Sequence, residues 1–169
     1  YSIEITATDG ALTFNKPFTI TVTDVVENRA PSAITLSNTS IAENEAVGTT
    51  VGTITITDDG IGTNTLKLSG ADVAKFTLDG NNLKTEASFD YETKNSYSIE
   101  ITATDGALVF NKDFIITVTD VNEAPTIANS AAVNVAENTT SVITVTGIDS
   151  DVGDRLLYTI IGGGDQNLF

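Results

Sequence analysis

Between Tyr97 and Thr104 apolar and polar residues alternate without a break: Tyr97, Ile99, Ile101 and Ala103 interleave with Ser98, Glu100, Thr102 and Thr104. A period of two puts successive side chains on opposite faces of a strand, so one face is apolar and the other wet. Phe114, Ile116 and Val118 repeat the pattern, as do Ile54 and Ile56 across Thr55. Leu66 with Leu68, and Phe76 with Leu78, predict two further short strands. Turn chemistry stands between them, at Asp105-Gly106 and at Asp79-Gly80-Asn81-Asn82. No stretch carries the stripe of an amphipathic helix. Seven or so short, threonine-rich strands in about 95 residues predict an all-β, Greek-key β-sandwich.

The pattern recurs almost word for word. Residues 1–24 (YSIEITATDGALTFNKPFTITVTD) and 97–120 (YSIEITATDGALVFNKDFIITVTD) differ only at Thr13/Val109, Pro17/Asp113 and Thr19/Ile115. The offset, 97 − 1 = 96 residues, is a domain's length, and a fixed period means an array of like units. Two shorter echoes agree: IAEN at 41–44 returns as VAEN at 135–138, and GADVAKF at 70–76 as GGDQNLF at 163–169. The chain therefore reads as tandem repeats: 1–29, the last strands of one unit; 30–123, a complete unit; 124–169, the first half of another. This division predicts a piece of a longer array, with half units open to pairing with other molecules.

Composition narrows the chemistry. With 23 acidic against 8 basic residues the formal charge is −15. That sign repels nucleic-acid phosphates and anionic membrane surfaces, and suits solubility or the binding of cations. The chain holds neither cysteine nor histidine. Disulfides, thiolate metal sites and thiol catalysis are thereby excluded, and the commonest general base is absent. No apolar run approaches the roughly 18 residues of a membrane-spanning helix, and no signal-peptide pattern opens the sequence.

The acidic residues gather where strands end. Glu43 stands in AEN, Asp58 and Asp59 in ITDDG, Asp90 and Glu92 in FDYE, and Asp105 in ATD. Asp120, Asn122 and Glu123 crowd the linker TVTDVNEAP, and in the third unit Glu137 and GIDSDVGD, with Asp149 and Asp151, repeat the theme. In an antiparallel sandwich strand ends sort into two poles. Asp120, ending the last strand, shares a pole with Asp90 and Glu92, which precede the strand before it. Glu43 joins them if the first strand runs the same way as the last. Asp58, Asp59 and Asp105 fall at the other pole, facing the linker from the preceding unit. One such residue alone reads as a turn or as solvated surface. Together, in order and at domain spacing, they predict a cation, because two like charges about 4 Å apart repel by roughly 4 kcal/mol at an effective dielectric near 20. Calcium, taking about six to eight oxygens in irregular geometry, fits the donor set, whereas magnesium demands octahedral rigidity. Zinc and copper favour the imidazole and sulfur that the chain lacks.

In combination these motifs resemble the cadherin repeat, in particular the bacterial cadherin-like type of long surface adhesins. The family's calcium signature is a Glu motif, an Asp-x-Asp, an Asp-x-Glu, an Ala-x-Asp and an Asp-x-Asn-Asp-Asn linker before proline. Here these stand as Glu43, Asp58/Asp59, Asp90-Tyr91-Glu92, Ala103-Thr104-Asp105 and Asp120-Val121-Asn122-Glu123-Ala124-Pro125. The resemblance covers the whole chain and implies a cadherin/immunoglobulin-like sandwich with Ca²⁺ at the 120–125 linker. The residues implied there are Glu43, Asp90, Glu92, Asp120, Val121, Asn122, Glu123 and Ala124, with Asp149 and Asp151 from the following unit. Glu123 replaces the linker's second Asp with a longer arm of equal charge, and Ala124 replaces an Asn that serves mainly through its carbonyl. The central Asp-x-Asp is DDG, its two acids adjacent. The upstream linker, DVVENRAP, carries Val26 where Asn is expected and two extra residues before Pro31. Asp24, Glu27 and Asn28, with Asp58, Asp59 and Asp105, therefore make a weaker set.

The function this implies is mechanical. Calcium would tie each unit to the next and stiffen an extracellular spacer in a tandem-repeat surface adhesin, with calcium and the neighbouring repeats as partners. Extracellular calcium modules bind at about 10⁻⁴ to 10⁻³ M. The alternative is a carbohydrate- or protein-binding module, which needs exposed aromatic platforms. Phe14, Phe18, Phe76, Tyr97, Phe114 and Tyr158 sit instead at inward-alternating positions, Tyr91 and Phe110 read as core rim, and tryptophan is absent. Asp90 and Glu92 as a glycosidase pair would lie at a domain end with no nucleophile–base set beside them, so an enzyme is not expected.

Overall fold

A computed structural model describes residues 1–165. Its strands are β1 (Ser2–Thr8), β2 (Thr13–Thr19), β3 (Ala33–Leu36), β4 (Ser40–Ala42), β5 (Thr50–Thr57), β6 (Asn64–Ser69), β7 (Phe76–Asp79), β8 (Asn82–Thr85), β9 (Ser96–Asp105), β10 (Leu108–Thr119), β11 (Thr126–Ile127) and β12 (Gly147–Ile148). The helical content of the described residues is one 3₁₀ turn, Val73–Lys75. Most of the GGDQNLF echo lies outside the described residues.

Strands β3 to β10 build two four-stranded sheets, ordered β4-β10-β9-β6 and β3-β5-β8-β7. Alternation decides which side chains meet between them. Tyr97, Ile99, Ile101 and Ala103 of β9 and Phe114, Ile116 and Val118 of β10 are buried against Ile34, Ile54 and Leu83 of the facing sheet. Each Ile, Leu, Val or Phe among them contributes about 1.5–3 kcal/mol by leaving water. Phe89 stacks on Tyr97 with ring centroids 4.5 Å apart, and Phe76 meets both rings. Both Asp-Gly turns act as hairpins: Asp79 pairs with Asn82 and Asp105 with Leu108, with Gly80 and Gly106 at φ of 58° and 59°. Positive φ there is open to glycine without steric cost.

The two near-identical hairpins share one register. Ser2 to Thr8 face Thr19 to Thr13, as Ser98 to Thr104 face Ile115 to Val109. Their local sequence carries that much unaided. Yet β2 stops at Thr19 while β10 runs to Thr119, although residues 20–23 and 116–119 both read ITVT. The reason is β4, which pairs in parallel with Thr117–Thr119. No strand stands beside residues 20–23 among those described.

The same lack corrects the reading of the aromatics. Phe76, Tyr97 and Phe114 are buried and Tyr91 and Phe110 rim the core, but Phe14, Phe18 and Tyr158 are 68%, 39% and 48% exposed. Period two selects a face, and burial needs a second sheet over it. Among the described residues of the third unit only β11 and β12 pair, two residues each. The AEN echo nevertheless reappears in the backbone: Asn44 and Asn138, at matched positions, are the non-glycine residues with positive φ among those described, at 60° and 65°.

Candidate metal centre

Because β4 and β10 run in the same direction, they deliver Glu43 and Asp120 to one pole. The Glu43 N–H donates to the Thr119 carbonyl at 3.0 Å, and the Glu43 side chain is buried, 3% exposed. Its Oε1 accepts the Val121 N–H at 2.8 Å and its Oε2 the Tyr91 N–H at 2.9 Å. Glu43 thus clamps the linker to the loop that precedes β9, and each oxygen keeps a second lone pair. Asp90 is set by its own turn, its two oxygens accepting from the Thr93 N–H and hydroxyl at 2.9 Å. Oxygens of Glu43, Asp90 and Glu92 lie within 4.8 Å of one another, and so do oxygens of Glu92, Glu123 and Asp151. Glu92 belongs to both groups.

The second group crosses from the linker into the third unit. The Glu123 N–H donates to Asp151 Oδ2 at 2.8 Å, and Asp149 Oδ1 accepts the Asp151 N–H at 3.2 Å, shaping that loop. Asn44, in its left-handed backbone, donates to Glu123 Oε1. The Asn122 side chain donates to the Glu123 carbonyl at 2.9 Å. Ala124 is exposed. Two oxygens, Glu123 Oε2 and Asp151 Oδ1, are buried with no donor. A buried acceptor without a partner costs about 1–3 kcal/mol.

Electrostatics carry the same strain. Desolvation, then repulsion from Asp151 and Glu43, raises the Asp120 pKa. Desolvation and repulsion from Glu43, Asp151 and Glu92 raise that of Glu123, against the lowering bond from Asn44. For Glu92 its own backbone N–H pulls down, but desolvation with Glu43, Asp120 and Asp151 leaves a net rise. An oxygen-only, anionic set with unspent lone pairs suits a hard cation.

At the other pole the loop between β5 and β6 folds over Asp105, which is 1% exposed at the end of β9. Asp105 Oδ1 accepts the Thr63 N–H at 2.8 Å, and Asp58 Oδ2 accepts from the Asn64 amide at 2.7 Å. Asp58 Oδ1, Asn64 Oδ1 and Asp105 Oδ2 remain buried and unpaired. The two adjacent acids do diverge: Asp59 turns to the upstream linker, accepting the Arg29 N–H at 3.0 Å and the Ile61 N–H at 2.9 Å. Asp24 and Glu27 line a cleft with Arg29 and Asp59, while Asn28 is exposed and outside it.

Sequence reasoning passed over three residues. Asn44 was legible as the last letter of the repeated AEN. Asn64 lies six residues beyond Asp58, with no signal of its own. Asp154, which adds to the repulsion on Asp120, sits in the quoted GIDSDVGD.

Comparison with known proteins bears on the fold that carries these residues. Residues 37–119 match the family described as Cadherin domain. The chain is 33% identical over 178 residues to human Protocadherin Fat 1, covering 98% of this chain and 4% of that protein. Among solved structures, human Protocadherin-24 EC1-2 (form II) aligns with a TM-score of 0.59 at 21% identity, covering 75% of this chain and 62% of that one. The protocadherin gammaB7 EC3-6 cis-dimer structure aligns at 0.54 and 31% identity, covering 90% and 40%. The chain thus spans a small part of its curated relative's length. Residues 37–119 are a cadherin domain, and the chain has the cadherin-like all-β fold, with animal protocadherins among its homologues.

Proposed function

We propose that Glu43, Asp90, Glu92, Asp120, Glu123 and Asp151 hold calcium at the joint between the unit 30–123 and the unit that begins at residue 124, and that this makes the chain a stiff extracellular spacer and adhesion module. The observation that carries the reading is the pair of buried, donorless oxygens on Glu123 and Asp151, one from each side of the joint, inside a ring of carboxylates. Bound calcium supplies positive charge and irregular oxygen coordination. This chain's own residues do the positioning. Glu43 fixes the linker through the Val121 N–H, Asn44 aims Glu123, and the Glu123 N–H seats Asp151. Asp149 shapes the loop that carries Asp151, and Val121, Asn122 and Ala124 offer backbone carbonyls or a side-chain amide. Without the cation the carboxylates repel and the joint opens.

Asp58, Asp59 and Asp105, with Asp24, Glu27 and Asn28, form the corresponding joint with the preceding unit. Its support is the three unpaired oxygens at that pole. The assignment to a bacterial tandem-repeat adhesin rests on the residue pattern and on the near-identity of residues 1–24 and 97–120, since Protocadherin Fat 1 is a human protein. The binding range of extracellular calcium modules, about 10⁻⁴ to 10⁻³ M, suits a site loaded outside the cell. A carbohydrate-binding reading finds no platform in the central unit, whose aromatics are core or core rim.

Small-angle X-ray scattering in chelator and in calcium tests the proposal. The expected result is a narrower distribution of shapes with calcium, lost in a Glu123→Gln variant. Identical scattering in the two buffers, with calcium bound, would leave the cation without a mechanical role.

A further inference from the structure

Residues 43 and 44 brace the linker twice. Glu43 accepts the Tyr91 and Val121 N–H groups. Asn44 reaches one step farther out on each side, to Phe89, two residues before Tyr91, and to Glu123, two residues after Val121. Its N–H donates to the Phe89 carbonyl at 3.0 Å, and its side-chain amide donates to Glu123 Oε1. Phe89 is a core residue, 4% exposed and packed on Tyr97 and Phe76. The Asn44 amide is therefore mounted on the core of the central unit, while the carboxylate it grips lies 79 residues away in the linker.

The backbone at Asn44 sharpens the question of why asparagine stands there. Its φ of 60° is left-handed, a region that glycine enters freely and that most residues with a side chain avoid. Glycine fills the other positions of positive φ among the described residues, Gly48 close by included, except at the matched Asn138. A local turn bond from the side chain would account for asparagine at such a place. The Asn44 amide makes none among the described residues, and its partner is Glu123.

We propose that Asn44 is a positioning residue of the calcium joint, whose amide holds Glu123 Oε1 and so presents Oε2, the buried oxygen without a donor, as the one oxygen through which Glu123 meets the cation. This rests on the calcium reading above and adds to it the device that sets one ligand. Glutamate has one more torsion to freeze than aspartate, and a bond that fixes the arm before the ion arrives lowers that cost. The holder also has to be neutral. A lysine at 44 would oppose the cation, and an aspartate would repel Glu123.

Terbium titration of the 169-residue chain, followed by displacement with calcium, tests this. Terbium shares calcium's preference for oxygen and luminesces beside an excited tyrosine, and Tyr91 stands between Asp90 and Glu92. Asn44→Gly leaves the left-handed backbone open and removes the amide, so circular dichroism shows the parent's fold. Calcium is expected to bind that variant about 10–100-fold more weakly, the usual effect of losing a group that orients a metal ligand. In a Glu123→Ala background the same change has no further effect, because the amide has lost its carboxylate. Asn138→Gly, the same change where Glu123 is not the partner, binds like the parent. An Asn44→Gly chain that binds calcium as the parent does, beside a Glu123→Ala chain that is weakened, overturns the inference and leaves the calcium reading standing. Equal losses from Asn44→Gly in both backgrounds also overturn it, since Asn44 would then act elsewhere than on Glu123. A parent chain that binds neither ion at millimolar concentration overturns the inference together with the reading it rests on.

Discussion

Glu43 offers the sharpest separation of a ligand from a structural acid. Glu43→Gln keeps the shape but turns one acceptor oxygen into an NH₂ group, which must face either the Tyr91 or the Val121 N–H. One of the bonds at 2.9 and 2.8 Å is lost, and a hydrogen bond to a charged group is worth about 1.5–3 kcal/mol. Loss of the charge also relieves Glu92, Asp120 and Glu123, each of which feels Glu43. In chelator the net loss therefore falls below the full value of that bond. Calcium changes the comparison. At about 10 mM calcium a site with a dissociation constant of about 10⁻⁴ to 10⁻³ M adds about 1.4–2.7 kcal/mol to the parent chain. The variant, with its cage short of one charge and one oxygen, gains less. Urea unfolding followed by circular dichroism, run for both chains in both buffers, gives the double difference directly. The gap between parent and variant must widen in calcium. A gap of the same size in both buffers would mean that Glu43 is a clamp and not a ligand, and would refute the reasoning.

The remaining predictions concern pH and the second pole. In calcium-free buffer Glu92, Asp120 and Glu123 hold raised pKa values. The folded chain then binds more protons than the unfolded chain between the ordinary carboxylate range and those raised values, so stability increases as pH falls from neutral into that window and is lost as pH rises through it. Melting temperature against pH checks this, and saturating calcium should reverse the slope because protons then compete with the ion. At still lower pH the trend turns down, since Asp72 and Asp79 are held low by hydrogen bonds from Lys94 and Lys84 and lose those bonds when protonated. Gly62→Ala places a Cβ 2.1 Å from Asp105 Oδ1 at a φ of +89°. The backbone strain alone costs about 1–2 kcal/mol, which lowers the melting temperature by about 4–8 °C per kcal/mol in a domain of this size. An unchanged melt would mean that the loop over Asp105 is not packed as described.

How much of this the sequence revealed depends on how local each feature is. The alternation of 97–104 and the Asp-Gly turns are local, and they specified strands, faces and hairpin register without help. The gathering of Asp90, Glu92 and Asp120 at one pole followed from strand direction, a global property that the alternation and turns implied, whereas Glu43 joined them only on the condition, met by the parallel pairing of β4 with β10, that its strand runs with the last. Burial did not follow. Phe18 and Phe114 stand at equivalent positions, yet one is 39% exposed and the other buried, because only Phe114 has a second sheet above it. ITVT is a strand end at 116–119 and irregular at 20–23 for the corresponding reason, a missing β4. The individual bonds were the least legible. That both Glu43 oxygens would be occupied by backbone N–H groups, or that Asn64 would join Asp58 and Asp105, depends on loop paths that no residue pattern announced.

Isothermal calcium titration of the chain beside an Asp120→Ala, Glu123→Ala double variant tests the central claim most directly. The account predicts stoichiometric binding in the parent, with dissociation constants of about 10⁻⁴ to 10⁻³ M, and loss of the 120–125 linker component in the variant. Binding of equal strength and stoichiometry in both chains, or none in the parent at millimolar calcium, would contradict it and leave the carboxylate ring as a solvated joint.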